Sequence, residues 1–108
     1  MAEFTISEMQ EMQKVLQEKY KDKWEPICAE IGQNKLLWMI GEIGEVIDIV
    51  KKHGGGQVSS NPDLRRSLIE EMADVLMYFN DVMLCYGITE EELKASYVAK
   101  FKRNMERW

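Results

Sequence analysis

Trp38-Met39-Ile40-Gly41-Glu42-Ile43-Gly44-Glu45-Val46-Ile47-Asp48 and Glu70-Glu71-Met72-Ala73-Asp74-Val75-Leu76-Met77-Tyr78-Phe79 are the stretches on which the reading turns. In both, apolar residues recur every three or four positions, the period of a helix with one buried face. Both also place two acids three residues apart, where β-carbons on a helix stand roughly 5–6 Å from one another. Glu42 and Glu45 therefore project together, as do Glu71 and Asp74. At about 100° per residue, Lys35, Trp38, Glu42, Glu45 and Ile49 form one stripe, and Ser67, Glu71, Asp74, Tyr78 and Asp81 form its counterpart. Beside them run the apolar stripes expected to form the core: Leu36, Ile40, Ile43, Ile47 and Val50, and Leu68, Met72, Val75, Phe79, Val82 and Tyr86.

Punctuation extends this pattern to four predicted helices. Thr5 with Glu8 fits a capping box that opens a helix from about residue 6 to Lys23, before Pro26. A second helix begins between Ile27 and Gln33 and stops at His53, where Gly54, Gly55 and Gly56 interrupt the periodicity. Asn61 followed by Pro62 opens the third, and Gly87 closes it. Thr89 with Glu92 is another capping box, starting a last helix with Leu93, Tyr97, Phe101 and Met105 inward. The residues between Gly54 and Asn61 read as a loop, and no segment alternates at period two for long enough to make a strand.

Composition bounds the rest. Residues 1–108 suit a single domain, with 45% hydrophobic and 31% charged residues, the balance of a folded chain. The formal charge of −5 argues against a general nucleic-acid binder, which needs a basic surface. No apolar run approaches the roughly 20 residues of a membrane span. The first ten residues have neither a basic segment nor a signal-type apolar core, so a cytoplasmic location is expected. Cys28 and Cys85 are expected as free thiols, and one histidine without a CxxC argues against a structural zinc site.

Joined by a short connection, the second and third helices should pack antiparallel, bringing both acid pairs to one level. Four converging carboxylates repel one another and resist desolvation, a conflict that a bound divalent cation removes. All-oxygen ligands favour Mg²⁺, with Mn²⁺ as a substitute. A di-iron bundle would add Glu-x-x-His on two helices, and His53 follows neither acid pair at that spacing.

Glu42-x-x-Glu45, 25 intervening residues and then Glu71-x-x-Asp74 resemble the two metal motifs of the all-alpha nucleoside triphosphate pyrophosphohydrolases, MazG-like enzymes among them. Lys100 and Asn104 are similar to the Lys-x-x-x-Asn with which several members hold phosphate. The resemblance implies an all-α four-helix bundle assembled as a dimer or dimer of dimers. It also implies Mg²⁺-dependent attack of water on the α-phosphate of an NTP or dNTP, giving monophosphate and pyrophosphate, as in nucleotide-pool housekeeping. Glu42, Glu45, Glu71 and Asp74 would be the metal ligands, and Glu42 or Glu45 would instead orient or deprotonate the water. The other reading is a non-catalytic dimerisation or regulatory module of the same fold.

Lys100, Arg103, Asn104 and Arg107 would clamp the triphosphate, or else they mark a basic helix end that complements the macrodipole. Lys35 contacts phosphate or pairs with a carboxylate, and Trp38 stacks on a base or packs in the core. Met77 and Leu84, outside the core stripe, and Leu37 beside Gly41 and Gly44 mark the expected surface of a homodimer or homotetramer.

Overall fold

The structure, a computed structural model, describes residues 3–107. It contains α1 (Ile6–Lys19), a 3₁₀ turn (Ala29–Ile31), α2 (Gly32–His53), α3 (Gly55–Ser60), α4 (Pro62–Cys85) and α5 (Glu90–Arg107), with no strand among the described residues. The caps follow the sequence signals. Glu8 N–H donates to Thr5 Oγ1 at 3.1 Å, and Asn61 Oδ1 accepts from the N–H groups of Asp63 and Leu64. The Thr89–Glu92 box is reciprocal, with Glu92 N–H donating to Thr89 Oγ1 and Thr89 N–H to Glu92 Oε1. Gly87, at φ +66°, ends α4 in the left-handed region that glycine enters without a side-chain clash.

Two expected boundaries move. Helix α1 ends at Lys19 rather than Lys23, and Tyr20 and Trp24 then stack at 4.7 Å between ring centroids. The predicted loop after His53 contains the short helix α3, in which Val58 is buried. The glycines stop α2, with Gly54 at φ +84°, but do not prevent a new turn from starting. Among the described residues, five α-helices therefore stand where four were expected.

The α2–α4 pair is the backbone of the fold, and α1 lies across α4. Lys35 meets Asp81, while Glu45 meets Glu71, so ten residues forward on α2 correspond to ten residues back on α4. That register makes the two helices antiparallel. Asn80 is almost fully buried where α1 crosses α4, its amide donating to the Leu76 carbonyl and touching Met9 Sδ. Helix α5 departs from this unit. Ser7 Oγ anchors its first turn by donating to Glu90 Oε2 at 2.8 Å, but its remaining length packs extensively on no other described helix.

The face of α2 that is covered is not the expected one. Lys35, Met39, Glu42, Val46 and Ile49 are buried or half-buried, whereas Leu36, Ile40, Ile43, Ile47 and Val50 are exposed. Tyr97, Phe101 and Met105 of α5, expected inward, are each more than half exposed, as is Met72 of α4. The covered face thus takes Lys35, Glu42 and Ile49 from the acid-bearing stripe together with Met39 and Val46, while Trp38 and Glu45 of that stripe stay exposed. Of the residues expected to pair copies, Leu37 and Met77 are exposed, Met77 in a cleft with Ala73, Met9 and Met12, and Leu84 is half-buried beside Pro26 and Ile27. Accessible surface totals 8203 Å² and the radius of gyration is 16.3 Å. A compact monomer of 12.7 kDa and 108 residues would have about 6,200 Å² and about 13 Å.

Candidate metal and nucleotide site

Glu42 and Glu45 stand one turn apart on α2, and Glu71 faces them from α4. One carboxylate oxygen from each lies within 4.8 Å of the other two. Glu42 Oε2 and Glu71 Oε2 are buried atoms without a hydrogen-bond partner, a costly arrangement unless something positive is supplied. The protonation balance reflects that conflict. A proton shared with Glu45, then burial, then the charges of Glu45 and Glu42 push the Glu71 carboxyl up to about 7. Burial and then the charges of Glu45 and Asp74 raise that of Glu42. Three hard oxygen donors with two orphaned lone-pair sites fit a divalent cation such as Mg²⁺.

Asp74, the fourth expected ligand, is half-buried one turn after Glu71 and stands outside the tight trio. Its charge still reaches both Glu42 and the Tyr78 hydroxyl. Burial, then Glu42, Asp81 and Asp74, raise the Tyr78 pKa, so the phenol remains a neutral hydrogen-bond donor beside the acids.

Lys35 takes the second of its two expected roles. Its Nζ lies 3.5 Å from Asp81 Oδ2, with the two side chains 10% and 9% exposed, and 5.9 Å from the Tyr78 ring centroid. Gln13 Nε2 donates to Asp81 Oδ1 at 2.8 Å, so α1, α2 and α4 meet in one buried polar junction. Asp81 lies on the acid stripe, yet nothing in sequence spacing distinguishes its structural pairing from the ligand role of Glu71, and Gln13 carries no signal.

Trp38 is more than half exposed and, with Trp24, Glu25, Lys35 and Tyr78, lines a cleft of 230 Å³. Lys100, Arg103, Asn104 and Arg107 line a separate cleft on α5 alone. The structure brings Glu42, Glu45 and Glu71 together with Asp74 close by, and sets Trp38 next to them. It does not bring the α5 cations to the acids of the same chain. Cys28 and Cys85 are free thiols.

The sequence profile of the MazG nucleotide pyrophosphohydrolase domain matches residues 30–107, and the chain belongs to that family. The match spans both acid pairs and the α5 cations, and leaves α1 outside. No curated protein and no solved structure matches the chain significantly.

Proposed function

We propose that this chain is a Mg²⁺-dependent nucleoside triphosphate pyrophosphohydrolase, with residues 1–108 forming one MazG-like domain. The observation that carries the proposal is the trio of Glu42, Glu45 and Glu71, with its two orphaned buried oxygens, inside a MazG match. Glu42, Glu45 and Glu71 hold the ion, with Asp74 completing the set, and Mn²⁺ can replace Mg²⁺. When bound, the cation supplies the positive charge that offsets both the acids and the phosphate oxygens. Glu42 or Glu45 orients the attacking water and takes its proton, and Tyr78 offers a neutral donor at the rim.

Assembly belongs to the same proposal. The exposed area exceeds that of a compact monomer by about 2,000 Å², the amount each subunit of an obligate dimer commonly buries. The excess lies on the aliphatic face of α2 and on Tyr97, Phe101 and Met105 of α5. A second copy supplies the missing apolar cover, giving a homodimer or a tetramer of paired dimers. Lys100, Arg103 and Asn104 act as a phosphate clamp only if α5 of one copy reaches the acids of another. The absence of a suitable membrane-spanning helix among the described residues is compatible with the proposed cytoplasmic location.

Incubation with Mg²⁺ and a panel of NTPs and dNTPs in ¹⁸O-water tests the chemistry. The expected products are pyrophosphate and a monophosphate carrying the label. Orthophosphate as the initial product, or no turnover of any nucleotide, would overturn the proposal.

A further inference from the structure

The cleft beside the acid trio is lined by the aromatic rings of Trp24, Trp38 and Tyr78 and by two groups of opposite charge, Glu25 and Lys35. Trp38 offers an exposed indole, and Trp24 is held from behind by its stack on Tyr20. Glu25, from the segment between α1 and the 3₁₀ turn, and Lys35 of α2 both line the cleft. Glu25 is not a loosely tethered surface acid. Asn34 Nδ2 donates to its Oε2 at 2.9 Å, and Gln17 Nε2 donates to its backbone carbonyl, so α1 and α2 together fix the residue. An ionised carboxylate only accepts hydrogen bonds and an ammonium only donates them. Lys35 directs one N–H towards Asp81 and has two others.

We propose that this cleft is the base subsite and selects nucleobases bearing both an exocyclic amino group and a ring carbonyl. Glu25 is its specificity-determining acceptor and Lys35 its donor. The inference rests on the pyrophosphohydrolase reading of the neighbouring acids. Cytosine, with its 4-amino group and O2, and guanine, with its 2-amino group and O6, offer a partner to both groups. Adenine has no carbonyl for Lys35. Thymine and uracil turn a carbonyl towards Glu25 where an amino group is needed, setting two acceptors against each other. The cleft has room for one base, flanked by aromatic faces as base recognition requires. Its position suits a nucleotide, because Trp38 precedes Glu42 and Glu45 by roughly 6–10 Å of helix rise. A sugar and the first phosphate span that interval.

The test compares kcat/KM of the Mg²⁺-loaded protein for dCTP, dGTP, dATP and dTTP. Intrinsic tryptophan fluorescence is titrated in parallel with the four monophosphates without metal. dCTP or dGTP should be preferred over dATP and dTTP by about tenfold or more, the scale of one well-placed base contact. The better of the two shows whether the slot takes a pyrimidine or a purine. Glu25→Ala should level the four bases by lowering kcat/KM for the favoured one, and should remove the same preference from the titration. Equal use of all four bases, a preference for dATP or dTTP, or an unchanged preference in Glu25→Ala would overturn the proposal. If no triphosphate is cleaved, the enzymatic reading fails by itself. The fluorescence titration then decides the base subsite alone: selective quenching by dCMP or dGMP supports it, and uniform or absent quenching refutes it.

Discussion

Replacing Lys35 by methionine isolates the junction on which the α1–α2–α4 arrangement depends. The Lys35–Asp81 pair is about nine-tenths buried, and its charged atoms are 3.5 Å apart. At an effective dielectric of about 20 the attraction is about 5 kcal/mol, opposed by several kcal/mol of desolvation for each ion. The pair's net contribution is therefore small, but breaking it is not. Lys35→Met leaves Asp81 charged and buried with only the Gln13 amide, and should cost about 3–5 kcal/mol. Asp81→Leu leaves Lys35 unpaired and also orphans Gln13 Nε2, adding about 1–3 kcal/mol. The double variant removes both charges and should be more stable than Asp81→Leu alone. Urea denaturation followed by circular dichroism, at one fixed protein concentration because assembly contributes, measures all four corners of the cycle. A cost below about 1 kcal/mol for Lys35→Met, or strict additivity in the double variant, would refute a buried and mutually dependent pair.

Further expectations concern the acids and the assembly. Glu42→Gln, Glu45→Gln and Glu71→Gln should each lower turnover by at least about 10²-fold in steady-state assays while the helical spectrum is kept. The Glu71 carboxyl rises from 4.5 to about 7 in the folded, metal-free chain, so the native state holds a proton that the unfolded chain has released. That contribution to stability is full below about 4.5 and is lost as pH rises through about 7. The melting temperature without metal should therefore fall between pH 5 and 8, saturating Mg²⁺ should reverse the trend, and Glu71→Gln should flatten it. Ile40→Glu or Phe101→Glu should yield monomers by light scattering at micromolar concentration, and an unchanged assembly mass would remove these faces from the interface.

Local chemistry made much of the molecule readable from its sequence. Thr5, Asn61 and Thr89 announce helix starts because their side chains satisfy N–H groups that the helix itself leaves unpaired. Gly87 announces a stop because it enters the left-handed region freely. The convergence of Glu42, Glu45 and Glu71 is legible from i,i+3 spacing and antiparallel pairing, whereas the same spacing places Asp74 with them and the structure leaves it outside the trio.

Burial was another matter. Periodicity identifies an apolar stripe but does not say what covers it. On α2 the stripe from Leu36 to Val50 remains open within one chain, while Lys35, Met39, Glu42, Val46 and Ile49 are covered. The roles of equivalent-looking acids were also undetermined: Asp81 pairs with Lys35 only because Gln13 and Lys35 arrive from other helices, and Glu71 meets Glu42 and Glu45 ten residues away along the same seam. Helix propensity, capping and i,i+3 spacing act over a few residues, so the sequence determines them directly. The choice of buried face, the pairing of charges and the fixing of Glu25 between α1 and α2 depend on contacts between distant segments, which only the tertiary structure decides.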